Sequence, residues 1–127
     1  MVKAKTYGLS HIAIAVRDLE RTLAFYKKVF DVQVMYHQDK FLQVTTRGCH
    51  DIIVFEKRKS AYGKTGGIAH FGFRLRNAKD IDEMVERVKT AGGKIIDKGE
   101  FVPGEPYIFF EDPDGYEVEI AYELIAE

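Results

Sequence analysis

The sequence predicts an α+β fold made of two βαβββ modules, and three observations support this. The segment 9–16, Leu-Ser-His-Ile-Ala-Ile-Ala-Val, is matched by the segment 68–75, Ile-Ala-His-Phe-Gly-Phe-Arg-Leu. A helical pattern of apolar residues follows each copy, and three extended segments follow each helical pattern. A chain of 127 residues suits one domain, so we expect a single domain over residues 1–127.

Each module opens with a strand and continues as a helix. Apolar residues fall at every second position of both opening segments, which is typical of a strand. Asp18 is the N-cap candidate of the first helix, Asn77 or Asp80 that of the second, and Gly92-Gly93 is the predicted stop. The apolar helix faces are Leu19, Leu23, Tyr26 and Phe30 in the first module and Ile81, Met84, Val85 and Val88 in the second.

The remaining extended segments set the module boundaries. Module 1 covers about 7–57, a polar and glycine-rich linker covers 58–67, and module 2 covers about 68–123. Either module alone would bury too little surface to be stable, so we expect the two to pack together. The six predicted strands that follow the helices lie near 32–37, 41–46 and 51–57, and near 94–98, 106–111 and 116–122.

Composition excludes several classes of function. With 19 basic and 20 acidic residues the net charge is −1, which is unlike the basic footprint of a nucleic-acid-binding protein. No apolar run approaches the length of a membrane span, and the first residues lack the apolar core of a signal peptide. The sequence has one cysteine, so a disulfide within the chain is impossible. We expect a cytoplasmic protein with a small-molecule substrate and no nucleic-acid or membrane partner.

Strand parity brings three potential metal ligands to one side of the predicted sheets. The apolar residues of both opening strands must pack on the helices, which leaves His11 and His70 on the opposite face. On the last strand Val118 and Ile120 pack on the helices and leave Glu119 on that opposite face. Two imidazoles and one carboxylate are a ligand set for a divalent metal with open coordination positions.

Each of these residues also has an ordinary structural explanation. A histidine on a strand is usually a polar residue without a metal, and Glu119 could be solvated, as Glu117 could be. We favour the metal site because His11 and His70 occupy matching positions of the repeat and Glu119 shares the face of His70.

The same parity argument predicts substrate-binding residues. Arg74 shares the face of His70 and could hold a carboxylate or phosphate, but it could equally pair with Glu117. Tyr107 and Phe109 face the site if their neighbours pack on the helix, and they would then form an aromatic wall. The structural alternative is that both aromatic residues belong to the core.

Four segments carry a family resemblance that spans nearly the whole chain. They are 9–19, the pair Phe25-Tyr26, the segment 67–71 with His70, and 110–119, which contains the turn Asp-Pro-Asp-Gly and ends at Glu119. On these segments the chain resembles the vicinal-oxygen-chelate superfamily, which includes glyoxalase I, extradiol dioxygenases, fosfomycin-resistance transferases and the bleomycin-binding proteins.

The resemblance implies that each module curls into half of an open barrel and that a metal lies in the cleft between paired modules. It assigns His11, His70 and Glu119 to ligand positions, and it implies a homodimer in which one site takes ligands from two chains. The fourth ligand position of glyoxalase I falls on Ile52 or Val54, which cannot bind a metal. Glu56 has the same parity and is the alternative, two residues further along the strand.

The resemblance therefore implies a metal-dependent lyase, transferase or dioxygenase that acts on a small, metal-chelating, oxygenated substrate. Glu119 would be the catalytic carboxylate. The metal would be zinc, nickel, manganese or ferrous iron, because this ligand set accepts all four. The alternative is a metal-free drug- or metabolite-binding protein of the bleomycin-resistance type. Those relatives typically lack the ligand residues, which favours the enzyme.

Overall fold

The computed structural model describes Ala4 and residues 9–123 of the chain. Within them the chain forms two four-stranded sheets and two α-helices. The first half contains β1 (Ile12–Val16), α1 (Leu19–Phe30), β2 (Val32–Gln38), β3 (Phe41–Thr46) and β4 (Ile53–Lys57). The second half contains β5 (Phe71–Arg74), a 3-10 turn (Ala78–Asp80), α2 (Ile81–Thr90), β6 (Lys94–Glu100), β7 (Pro106–Glu111) and β8 (Glu117–Ala121).

The two sheets have the same topology. The strand order is β1-β4-β3-β2 in the first sheet and β5-β8-β7-β6 in the second. In each sheet the first and last strands of the module pair in parallel, and the other neighbours pair antiparallel. The predicted α+β fold of two βαβββ modules is therefore confirmed. In this arrangement β1 and β5 are both edge strands.

The helix ends agree with the sequence in part. The Asp18 carboxylate accepts a hydrogen bond from the backbone N–H of Arg21 at 3.1 Å, so this residue caps α1 as predicted. Neither Asn77 nor Asp80 caps α2 through its side chain, because a 3-10 turn precedes that helix. Gly92, with a φ of 95°, follows the end of α2, as the predicted stop requires.

Helix α1 contacts strands of both sheets and so joins the two modules. Tyr26 is buried, and its ring lies 5.0 Å from the ring of Phe55 in β4. Phe30 stacks on Phe73 of β5 with ring centroids 3.7 Å apart. Burying one such side chain contributes about 1.5–3 kcal/mol. The helices thus cover one face of each sheet, and we call the opposite face the open face.

The predicted Asp-Pro-Asp-Gly turn ties module 2 to module 1. The buried carboxylate of Asp112 accepts hydrogen bonds from the Tyr26 hydroxyl at 2.8 Å and from the backbone N–H of Tyr116 at 3.0 Å. Asp114 accepts bonds from the backbone N–H of Arg17 at 3.0 Å and from the guanidinium of Arg21 at 2.9 Å. This turn leads directly into β8 and therefore sets where Glu119 lies relative to α1.

Two further contacts fix the linker and β1 against the same turn. The Tyr116 hydroxyl donates a hydrogen bond to the backbone carbonyl of Ala15 at 2.7 Å. Gly63 has a φ of 73°, and a Cβ there would lie 2.3 Å from the carbonyl oxygen of Asp114, so only glycine fits.

Among the described residues, the helices are too short or too polar for any of them to cross a membrane.

Candidate metal centre

Two of the three predicted ligands lie side by side on the open face of the second sheet. His70 directly precedes β5, and Glu119 lies in the middle of β8. The Nε2 atom of His70 is 3.9 Å from the Oε1 atom of Glu119, and the two side chains are 38% and 21% exposed. An imidazole nitrogen and a carboxylate oxygen at this spacing, with access to solvent, can converge on one divalent metal.

The backbone opposite Glu119 leaves room for its carboxylate. Gly72 is the register partner of Glu119 in the parallel pair of β5 and β8. A Cβ at Gly72 would lie 3.1 Å from the Cβ and 3.3 Å from Oε1 of Glu119. A larger residue would push the carboxylate away from its present position, so the glycine keeps the ligand pair accessible.

The third predicted ligand lies elsewhere. His11 directly precedes β1 in the first sheet, it is exposed, and a hydrogen bond of 2.8 Å joins its Nδ1 atom to the Ser10 hydroxyl. Within residues 9–123 and at Ala4, no three side chains of His, Cys, Asp or Glu are grouped to hold a metal. One chain therefore brings together two of the predicted ligands, because β1 and β5 belong to different sheets.

The register of the first sheet decides which residue occupies the fourth ligand position. Val54 is the partner of Ala13, as Glu119 is the partner of Gly72 in the second sheet. Val54 is apolar and only 4% exposed, so this position offers no ligand. Glu56 lies two residues further along β4, about 6.5 Å away, and it bonds to Arg58 at 2.6 Å.

An aromatic wall stands beside the ligand pair. The Phe109 ring meets the His70 ring edge-on with centroids 5.1 Å apart, and Tyr107 meets Phe109 at 5.6 Å. Phe101 extends the wall by stacking on Tyr107 at 4.2 Å. Phe101 was missed by sequence reasoning because it lies in the turn between β6 and β7, where strand parity does not apply.

Asp97 is a second residue that the sequence did not reveal. Its carboxylate accepts a hydrogen bond from the Tyr107 hydroxyl at 3.0 Å, and this bond, followed by desolvation, raises the pKa of Tyr107 above 10.0. A β-bulge between Ile95 and Asp97 shifts the alternation of β6 by one residue. Strict alternation would have turned Asp97 towards the helices.

Arg74 lies on the open face, two residues beyond Gly72. Its side chain is exposed, and among the described residues no hydrogen bond or ion pair joins it to Glu117 or to another group. Of the two alternatives that the sequence left open for Arg74, pairing with Glu117 is therefore absent from the structure.

A cavity of about 170 Å³ adjoins His70. It lies between β1, the linker and the starts of β5 and β8, and Lys64, Thr65 and Glu117 contribute polar groups to its wall. Most of the remaining lining is apolar, from β1 and from Ile68 and Phe71. Its size suits a small organic molecule or part of one.

Comparison with known proteins agrees with the observed topology. Residues 8–120 match the family model of the Glyoxalase/Bleomycin resistance protein/Dioxygenase superfamily. The chain belongs to this superfamily. The matched residues span β1 to β7 and β8 except for its last residue.

Relatives in this superfamily include enzymes of different kinds. A probable chloroplastic lactoylglutathione lyase of Arabidopsis thaliana is 29% identical over 94% of this chain, which spans only 37% of that lyase. The fosfomycin resistance protein FosX of Listeria innocua is 28% identical, over 89% of this chain and 87% of FosX. A solved mutant of FosX from Listeria monocytogenes, complexed with Mn(II) and 1S,2S-dihydroxypropylphosphonic acid, has a TM-score of 0.76 and 27% identity, covering 91% of this chain and 90% of that one.

Proposed function

We propose that this protein is a divalent-metal-dependent enzyme that acts on a small oxygenated substrate bound through one or two oxygens. His11, His70 and Glu119 are the ligands. The observation that carries the proposal is the pair of His70 and Glu119, whose Nε2 and Oε1 atoms are 3.9 Å apart beside a glycine that leaves the carboxylate room. A solved FosX relative complexed with Mn(II) supports it.

We infer that each site is shared between two chains of a homodimer. His11 precedes β1 and His70 precedes β5, and each of these strands has a free edge in its own sheet. The side chain of His11 is exposed, and so is the open face of the second sheet around His70. A second chain that presented β1 beside β5 would supply the missing imidazole and complete the ligand set.

The bound metal would act as a Lewis acid on a substrate oxygen. His70 and Glu119 would hold one side of the coordination sphere, and the aromatic wall of Tyr107, Phe109 and Phe101 would exclude water from the apolar part of the substrate. As the carboxylate ligand, Glu119 would lie beside the reacting atoms, and it is the candidate group for moving a proton.

The position of Val54 argues against one reaction within the superfamily. Isomerisation of the glyoxalase I type uses carboxylates at both ligand positions for proton transfer, and this chain has a buried valine at one of them. A site with two histidines and one carboxylate instead suits a transferase or a dioxygenase. Ala13 stands where fosfomycin transferases carry threonine, so we do not assign fosfomycin as the substrate.

The first experiment is elemental analysis of protein purified anaerobically without chelator or affinity tag. We expect about one metal ion per chain, and none in H70A, because removing a ligand from a three-ligand site weakens binding strongly. H37A is the matched control, since His37 is exposed and lies near Glu20 away from the site. Iron would favour a dioxygenase, and nickel, zinc or manganese a lyase or transferase. A full metal content in H70A would contradict the proposal.

A mixing experiment tests the shared site. Neither H11A nor H70A alone should retain metal. A heterodimer of one H11A chain and one H70A chain has one intact site, so it should hold about one ion, half the wild-type content. Sedimentation of each sample confirms the oligomeric state. No recovery of metal in a verified heterodimer would exclude sharing between chains.

The second candidate function is metal-free binding of a small molecule. The largely apolar cavity of about 170 Å³ beside His70 favours it, because such a cavity holds a small ligand without a metal. Wild-type protein that takes up none of the four metals on addition would support this function in place of the first.

A further inference from the structure

We propose that the substrate of this site carries an anionic oxygen group, a carboxylate, phosphate or phosphonate, and that Arg74 recognises it. This inference rests on the proposed metal-dependent function, and it adds the chemical class of the substrate. It makes Arg74 the residue that selects charged substrates over neutral ones with the same chelating oxygens.

The register of the second sheet fixes where Arg74 stands. Phe73 stacks on Phe30 of α1, so its neighbour Arg74 belongs to the opposite, open face. Gly72 pairs with Glu119, and Arg74 pairs with Ala121. Arg74 is thus two residues along the strand from the ligand carboxylate, an offset of about 6.5 Å. That distance separates a metal-bound oxygen from a substituent on the far side of a small substrate.

One small residue lies between Arg74 and the aromatic wall. Ala121 separates Arg74 from Tyr107 across the strands, and Gly99 is the partner of Tyr107 on β6. Ala121 is only 5% exposed, and the Tyr107 ring lies over Gly99, where an added Cβ would be 3.2 Å from two ring carbons. Arg74 and Tyr107 thus flank Ala121, which is two residues along β8 from Glu119, so a ligand held at Glu119 would meet the guanidinium on one side and the Tyr107 ring on the other.

The carboxylates of this face do not neutralise Arg74. Glu117 and Glu119 make no ion pair with it among the described residues, and Asp97 is bonded to the Tyr107 hydroxyl at 3.0 Å. Asp97 also lies two strands away from Glu119, about 10 Å across the sheet. The guanidinium keeps all five N–H donors for a ligand, and its planar fork matches a carboxylate or phosphate.

The Tyr107 hydroxyl is already bonded to Asp97, which limits the ligand groups that this end of the site can bind. Because this hydroxyl donates its hydrogen bond to the Asp97 carboxylate, Tyr107 presents its ring rather than a free hydroxyl to a ligand. Phe101 stacks on one face of that ring. The arrangement suits an anionic group attached to a flat or apolar skeleton, with the charge at Arg74 and the skeleton against Tyr107.

The test compares two probes with the same vicinal hydroxyls, 3,4-dihydroxybenzoate and catechol, of which only the first carries a carboxylate. Calorimetry measures their binding to anaerobic, Mn(II)-loaded wild type, R74Q and R76Q. Arg76 is the matched control, because it is exposed and lies near the turn at Gly48. We expect R74Q to keep its metal, to bind catechol as wild type does, and to bind 3,4-dihydroxybenzoate about 10- to 100-fold more weakly.

Three outcomes would overturn the inference about Arg74 without contradicting the proposed metal site. They are equal binding of 3,4-dihydroxybenzoate by R74Q and wild type, an equal loss for both probes, and an equal loss in R76Q. R74K should recover part of the affinity, since it restores the charge without the fork.

A second measurement separates this inference from the proposed function. If the wild type holds no metal, benzoate and benzyl alcohol are titrated into the metal-free protein, and the Nε resonance of Arg74 is followed by NMR. A shift with benzoate that benzyl alcohol does not cause supports anion recognition even though the metal proposal has failed. The same response to both compounds overturns it.

Discussion

Glu119 and Gly72 form the residue pair on which the candidate site depends. Gly72 has an ordinary negative φ, so alanine is compatible with its backbone, and the consequence of that change is purely local. The added Cβ would lie 3.1 Å from the Cβ and from the backbone oxygen of Glu119 and 3.3 Å from its Oε1, all tighter than ordinary contacts. The carboxylate would have to move, and with it the geometry that it shares with His70.

We therefore expect G72A to fold normally and to bind metal about 10-fold more weakly, a loss typical of residues that position a ligand. Metal affinity is measured by competition with a chelator, and folding by thermal unfolding. The matched control is A13G in the first sheet, where the register partner is Val54 and no ligand is affected. Unchanged affinity in G72A would show that Glu119 needs no such space.

At the level of elements, the bulge in β6 decides which side chains reach the open face. The register passes from the pair of Ile95 and Phe110 directly to the pair of Asp97 and Phe109, and Ile96 is the extra residue. The matching edge strand β2 carries a bulge at Met35, between Val34 and Tyr36. The duplication thus extends to an irregularity that strand alternation alone does not predict.

Removal of Ile96 should leave Asp97 bonded to Tyr107. The partners of Ile95 and Asp97 are the consecutive residues Phe110 and Phe109, so the pairing of β6 with β7 can continue without the extra residue. The pKa of Tyr107 should then stay above 10.0, as in the wild type, whereas D97A should lower it towards 10.0 by removing the hydrogen bond. NMR titration with labelled tyrosine follows this group. A lowered Tyr107 pKa in the deletion variant would mean that the bulge itself orients Asp97.

At the level of the whole molecule, the Asp-Pro-Asp-Gly turn joins the two modules through the buried hydrogen bond between Tyr26 and Asp112. Burial raises the pKa of Asp112 above its usual 3.8, while the hydrogen bond from Tyr26 acts in the opposite direction. Because the folded-state pKa is raised, the stabilising contribution of Asp112 is complete below pH 3.8. It is lost as the pH rises through the folded-state value.

Y26F should lower the free energy of unfolding at pH 7 by about 1–3 kcal/mol, because it leaves a buried carboxylate oxygen without its donor. Without that bond the pKa of Asp112 rises further, so the loss should shrink as the pH falls and the carboxyl becomes protonated. Urea unfolding between pH 4 and 7 measures this, with the exposed Tyr36 as the site of the control variant Y36F. A loss that did not change with pH would mean that Asp112 is not its cause.

The internal repeat, the alternation of apolar residues and the local sequence were sufficient to predict the two βαβββ modules, the cap at Asp18 and the open-face positions of His70 and Glu119. These features depend on local periodicity and on short turns, which neighbouring residues determine. By contrast, the second helix begins after a 3-10 turn and lacks a side-chain cap, because backbone bonds within the turn replace it.

The sequence by itself determined the fold class, the family and the residue types of the candidate metal site. Only the tertiary structure decided that Val54 fills the fourth position and that Phe101 extends the aromatic wall. It also decided that Asp97 bonds to Tyr107 and that His11 stands apart from His70 within one chain. The physical reason is that periodicity tells which face of a strand a side chain takes. Register, bulges and the relative placement of two sheets arise from packing between residues that are distant in the chain.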